Sequence, residues 1–466
     1  MDTCARLIAR ISISAAWNIQ LTGGRMTTRM KLILGITAIA ASLAVSASRA
    51  IAGPTVPATP PKLSDFQLVP SKSNSSADDP APDSFFDRVA KLDKRLPKLG
   101  VQKILGQANR PATFGDKCDS PAFKGMEPPA QRICFHPSDS GSGDPKNLEW
   151  MPQGVTTVAD AQKDAQWGDK QAILVSWYDK KAGSAKGVRV SFLDIDTKQY
   201  QHVLLVYPYL QPDGDPSYEI LSSPQEGDHA GIHAGGIAWY GNYLYVVDTN
   251  RGIRAFDMRR IFDLEAAGAK ADLKEKNKVG LRDGKYTSFG YRYVMPQVAA
   301  WENPGGLVDF PPKHACAGDG TPKYSFVAID RSGADALITG EYCATGATPD
   351  NNGRVARWPL DPNSGLPRLT GGKWQAEDAL RLPTPNVQGA LSYEGTWYLS
   401  RTGGGERANA TLIEATPSAA RPGVLTVQKE RKAAIGAEDL SYWPGRNELW
   451  TVTEHPGKRV LYATPR

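Results

Sequence analysis

Cysteine is scarce, five residues in 466, and no two of them are spaced C-x-x-C. Zinc-knuckle and thioredoxin-like redox sites need that spacing, so both lack support. G-x-S-x-G is absent, which removes the nucleophile elbow of the serine hydrolases. No glycine cluster follows a strand and opens a helix, as a phosphate-binding loop must. A contiguous D-x-D-x-D-G calcium loop is missing too. Long apolar runs are limited to Leu32–Ser48, seventeen uncharged residues, short for a membrane span.

An excess of one charge is also lacking beyond the N terminus. The chain carries 55 Lys/Arg and 49 Asp/Glu, a formal net charge of +6. Six of the basic and one of the acidic residues lie in 1–52, leaving 49 against 48. No electrostatic case for nucleic acid or an anionic membrane survives that balance.

Turn formers and aromatics are abundant. The 45 Gly and 35 Pro argue against a helical bundle, and 11 Trp, 17 Tyr and 12 Phe can fill a large core. Arg29 and Lys31, the apolar run and Ala50-Ile51-Ala52 read as a secretory signal peptide cleaved after Ala52, with translation starting at Met26. An exported, extracellular protein without a stable membrane anchor is expected. Cys118, Cys134, Cys316 and Cys343 then remain, an even number allowing three connectivities. The local pairs Cys118–Cys134 and Cys316–Cys343 are favoured, each contributing roughly 3 kcal/mol by restricting the unfolded chain.

Residues 53–82 read as a Pro/Ser/Asp-rich linker, interrupted by a short strand at Phe66–Val69. A helix capped by Asp83 or Ser84 is expected through Phe85, Phe86, Val89, Leu92 and Leu96, ended by Pro97 and Gly100. The rest of 83–150 reads as irregular and holds the first cysteine pair.

From 151 to 466 the texture is a repeated β-meander: short strands separated by Gly, Asn, Asp and Pro turns. The clearest unit is HAGGIAWYGNYLYVVDTNRGIRAFDM, residues 233–258. Repeats begin near Gln153, Gly235, Ser325, Gly389 and Glu438. This predicts an all-β fold, a β-propeller of five blades, with spacing that leaves room for a sixth. A β-sandwich is the competing architecture. Residues 258–278, rich in Ala, Leu, Lys and Glu, are expected to insert a helix, with Tyr291–Val294 as a delayed fourth strand. The last repeat ends after three strands, so an N-terminal strand must complete it, and Phe66–Val69 is the candidate.

In such meanders, first-strand starts and second-strand ends share one face. The starts supply Gln153, His233, Gln388, Glu438 and Asp439; the ends supply Asp179, Asp248, Asn250, Glu341, Arg401, Glu454 and His455. Taken singly, Asp and Asn there are often mere turn formers. As a set, they describe a polar mouth, the usual ligand site of a rigid β frame. Trp177, Tyr178, Tyr342 and Tyr393 would add sugar-stacking surfaces. His229 and His233 are four residues apart, but neighbouring glycines favour a loop over a metal-binding helix. Asp248, Asn250, Glu341 and Glu438 form the best oxygen set for calcium.

The segments PQGVTT, HAGGIAWYGNYLYVVDTNRGI, VQGALSYEGTWYLS and EDLSYWPGRNELWTVTEHPGK resemble exported bacterial, actinobacterial, propeller-like proteins over roughly residues 150–466. More distantly, they are similar to gluconolactonase and strictosidine synthase-like propellers. That resemblance implies a carboxylate and Asn residues on a central metal, without a matching motif to carry residues across. Two functions follow. The first is a monomeric secreted protein that recognises a small molecule, glycan or peptide at the central mouth. The second is a calcium-dependent, lactonase-like hydrolase, with catalytic His233, Glu341 and Glu454.

Overall fold

The alternation of apolar residues and turns resolves into five antiparallel four-stranded meanders. A computed structural model describes residues 58–141, 149–180, 186–222, 232–308, 316–344 and 349–466. The expected leader, 1–52, and His229 lie outside them.

The first blade is Trp150–Thr157, Ala172–Asp179, Val188–Asp194 and Gln199–Leu210. The second is Ile237–Tyr240, Tyr243–Asp248, Gly252–Asp257 and Tyr293–Glu302. The third is Phe326–Asp330, Ala336–Gly340, Arg354–Pro359 and Asp378–Arg381. The fourth is Val387–Tyr393, Thr396–Arg401, Asn409–Pro417 and Leu425–Ile435. The fifth is Ala437–Trp443, Glu448–Thr453 and Val460–Pro465, completed by Gln131–Cys134 from far upstream. First strands pack in a ring, each on the next, and the fifth blade returns to the first. Among the described residues this is an all-β, propeller-like fold of five blades.

Two expectations need correction. The closing strand is Gln131–Cys134, not Phe66–Val69. Its Ile133 is buried, and the Cys118–Cys134 disulfide anchors its end. The earlier strand, Gln67–Pro70, instead straps two neighbouring blades. It pairs with Tyr293–Glu302 of the second and with Trp374–Gln375 beside the third. Phe66 and Leu68 are buried there, which satisfies the apolar pattern without closing the ring. Residues 258–278 form no α-helix. The Asp263 carboxylate takes the N–H groups of Glu265 and Ala266, an Asx turn that competes with helix. A strand, Ile261–Asp263, and a short 3-10 turn, Gly268–Lys270, take its place.

Other expectations hold. The helix Phe85–Asp93 is capped by Ser84 Oγ, which accepts from Asp87 N at 3.2 Å, and buries Phe85, Phe86, Val89 and Leu92; it ends one turn earlier than expected, with Leu96 buried in the turn that follows. The delayed fourth strand of the second blade begins at Tyr293. Both disulfides, Cys118–Cys134 and Cys316–Cys343, form. No helix among the described residues is long and apolar enough to cross a membrane.

The ring is narrow at its axis. A Cβ on Gly236 would lie 2.3 Å from the Val327 nitrogen, and one on Gly389 would lie 2.7 Å from Asp439 Cα. Only glycine lets the inner strands approach this closely. Short polar side chains then bond across blades. Trp239 N donates to Thr156 Oγ1 at 3.0 Å, and Ser176 Oγ donates to Ala234 O at 3.0 Å.

Candidate functional site

Asp439 forms the floor of the mouth. Its carboxylate accepts from Val155 N of the first blade at 3.3 Å, and the N–H groups of Leu440 and Ile237 also favour its charged form. Burial outweighs those bonds and pushes this carboxyl well above the usual range. The position predicted as a mouth residue is therefore a plug at the axis. Farther along, Asp160 is pushed up to about 6 by burial, against hydrogen bonds from Ser441, Thr156 and Thr157.

Above the floor, all five blades contribute to one polar cluster. Gln153 Nε2 of the first blade donates to Glu454 Oε2 of the fifth at 3.2 Å. Gln388 Nε2 of the fourth donates to Glu438 Oε1 at 3.4 Å. Glu438 stands beside Glu454, close enough for the two carboxyl groups to interact. Burial first, then the Glu454 and Asp439 charges, push the Glu438 carboxyl well above its ordinary value. Tyr178 of the first blade and Tyr342 of the third are raised by burial and by the fields of these two glutamates. His233, on the segment entering the second blade, is exposed and packs on Tyr178 with ring centroids 4.4 Å apart. His455 Nδ1 lies 3.6 Å from Glu454 Oε1.

The structure therefore brings together Gln153, Tyr178, His233, Tyr342, Gln388, Glu438 and Glu454. Other predicted residues are used differently. Asp248 is held by Arg254 through Nε at 3.1 Å and Nη2 at 2.6 Å. Glu341 is held by Arg354 through Nε at 2.7 Å and Nη2 at 2.8 Å, and it accepts from Lys323 N. Both are buried ion pairs within their own blades, so the calcium set of Asp248, Asn250, Glu341 and Glu438 is not assembled as expected. Asn250 sits in the turn between Asp248 and Gly252. Arg401 reaches Glu430, Thr384 and Thr411. Among the described residues, the only group of three metal-ligand types close together is Cys316, Glu341 and Cys343, and its two cysteines form a disulfide.

Two aromatics are misplaced by sequence reasoning. Trp177 is fully buried, its indole donating to Ser191 Oγ at 2.8 Å. Successive strand residues face opposite sides, so Tyr178 reaches the mouth and Trp177 cannot. Tyr393 ends its strand at the opposite face, packed on Tyr442.

Sequence reasoning also missed a repeated buried arginine near the start of third strands: Arg189, Arg254, Arg354 and Arg459. The segments GVRV, GIRA, GRVA and KRVL carried that signal. Arg459 joins the mouth wall, donating to the Glu454 carbonyl at 3.1 Å. Burial and then Arg189 pull its pKa down to about 10.

No family model matches this chain, and no curated protein does. Solved structures do show a likeness, among them a crystal structure of glucose dehydrogenase. It is 14% identical, with 66% of this chain and 80% of that chain covered, at a TM-score of 0.26. A likeness of that size adds nothing to the functional argument, which rests on the mouth itself.

The raised Glu438 carboxyl has a consequence for stability. A carboxyl raised on folding favours the native state while protonated. That contribution is full below the ordinary carboxylate pKa of about 4.3 and is lost as pH rises through the raised native value. Glu438→Gln keeps the shape and cannot ionise. Its urea midpoint should therefore fall less than that of the wild type between acid and alkaline buffers. Asp439, raised with the same sign, leaves a residual slope. Equal slopes in the two proteins would show that Glu438 is not held protonated.

Proposed function

We propose that the protein is a secreted recognition protein that binds a small hydroxylated molecule, free or as part of a glycan, at this mouth. The single observation behind the reading is the convergence of residues from the first, third and fourth blades on Glu438 and Glu454 of the fifth. Two amides, two phenols and a carboxylate pair offer both donors and acceptors. That mixture suits hydroxyl groups, which need both at once. Tyr178 and His233 offer ring faces to an apolar sugar surface. The two disulfides fit an oxidising compartment.

Calorimetric titration of the full chain with a panel of neutral sugars and polyols tests this. Glu454→Ala should weaken binding about tenfold or more, the cost of a charge-assisted hydrogen bond. Tyr393→Ala, at the opposite face, should leave it unchanged. Failure of the whole panel to bind, or equal affinity in Glu454→Ala, removes the reading.

A second reading, a lactonase-like hydrolase, draws on the same pair. The Glu438 carboxyl, raised by burial and set beside Glu454, gives the site a carboxyl pair of the kind acid–base chemistry uses. It does not draw on Asp248 or Glu341, which are engaged by arginines. Turnover of lactones or esters that Glu438→Gln abolishes would favour it over simple binding.

A further inference from the structure

A second cavity lies outside the mouth, beside the first blade. It encloses about 780 Å³, within the usual range for small-molecule sites. Its walls come from three parts of the chain: the first blade, the 109–111 and 136–139 segments, and the insertion of the second blade. None of its lining residues belongs to the mouth cluster.

The walls carry five Lys/Arg against three carboxylates. Lys186 pairs with Glu149 and Arg292 with Glu265 and Asp263, so the excess rests on Arg189 and Arg110, which share Asp139, and on Lys276. The Arg189 guanidinium carbon lies 4.5 Å from the Trp150 ring centroid and 5.0 Å from that of Trp177. One terminal nitrogen donates to Tyr291 Oη at 3.1 Å and the other to Asp139 Oδ1 at 2.9 Å. Nε has no hydrogen-bond partner among the described residues and is itself sealed from solvent, so Arg189 offers the cavity its charge rather than a free donor. A guanidinium fixed this way has already lost its rotamer freedom, so an anion in the cavity meets a charge that need not be ordered. Arg110, more than one-third exposed, stands on the other side of Asp139 at 3.3 Å. Lys276 Nζ, nearer solvent, donates among the described residues only to the Leu273 carbonyl. The single Asp139 charge is shared between two guanidinium groups, the Tyr200 hydroxyl and the His202 ring. Trp150, Phe289 and Tyr291 supply apolar wall.

We propose that this cavity binds a small organic oxyanion, a carboxylate or phosphate ester with an apolar or aromatic body. The anionic group seats against Arg189 and Arg110, Lys276 closes the solvent side, and the body lies along the aromatic wall.

Calorimetric titration of the full chain with benzoate, phenyl phosphate and the neutral benzyl alcohol tests the proposal. One or both anions should bind, benzyl alcohol should not, and added salt should weaken the complex. The tighter of the two anions identifies the anionic group. Lys276→Ala removes a near-surface ammonium and Arg110→Ala a partly exposed guanidinium. Each variant, its fold verified by circular dichroism, should weaken anion binding about tenfold. The proposal fails if neither anion binds at about 10 mM. It also fails if benzyl alcohol binds equally well, or if both variants retain wild-type affinity.

Discussion

Replacing Asp139 by alanine is expected to destabilise the protein by about 3–5 kcal/mol, the cost of leaving a buried charge without its partner. Asp139 sits on the short helix Pro137–Ser140 and is buried together with Arg189. Its Oδ1 takes Arg189, and its Oδ2 takes the Tyr200 hydroxyl at 2.6 Å, His202 at 3.3 Å and Arg110 at 3.3 Å. Burial alone would raise this carboxyl. Contacts with His202, Arg189 and Arg110 outweigh it and hold the group well below the usual carboxylate range. His202 itself is pulled down to about 3 by burial and by Arg189, so its ring is neutral near pH 7. Removing Asp139 strands Arg189, which the indole rings cannot neutralise. Asp139→Asn keeps the acceptor on one side and should cost less than alanine. Urea unfolding of the two variants gives the comparison. An alanine variant within about 1 kcal/mol of the wild type would mean that Arg189 finds water or another partner, and that the cluster does not anchor this blade.

Gly236→Ala should be nearly as damaging, at about 3 kcal/mol, near the upper end of ordinary overpacking costs. The added methyl would lie 2.3 Å from Val327 N and 2.8 Å from Phe326 Cα, both main-chain atoms of the neighbouring blade. No side-chain rotation relieves a clash with backbone, so the second and third blades must separate. Gly445→Ala provides the control, because a Cβ there meets nothing within 4 Å. Equal urea midpoints for the two variants would mean that the inner strands are less tightly apposed than they stand here.

Much of the fold was legible in the sequence. The meander repeats, the capped helix at Ser84 and the two local disulfides were readable because each depends on neighbouring residues. The closing strand was not, because Phe66–Val69 and Gln131–Cys134 are both short and partly apolar, and only long-range pairing separates them. Most of the candidate site was legible in the same way. Gln153, Gln388, Glu438 and Glu454 mark strand starts and ends, and strand geometry sends them to one face. Asp248 and Glu341 carry the same positional signal. Their fate was set by Arg254 and Arg354, one strand over, which turn candidate ligands into buried ion pairs.

The sequence alone therefore determined the all-β class, the repeat and the face on which a mouth would form, since strand periodicity and turn chemistry are local. Tertiary structure decided which strand closes the ring and which carboxylates stay available. It also assembled the Asp139–Arg189–His202 cluster from segments up to 63 residues apart. Those outcomes depend on which charged groups share a buried volume, and desolvation makes each of them find a partner wherever the fold brings one.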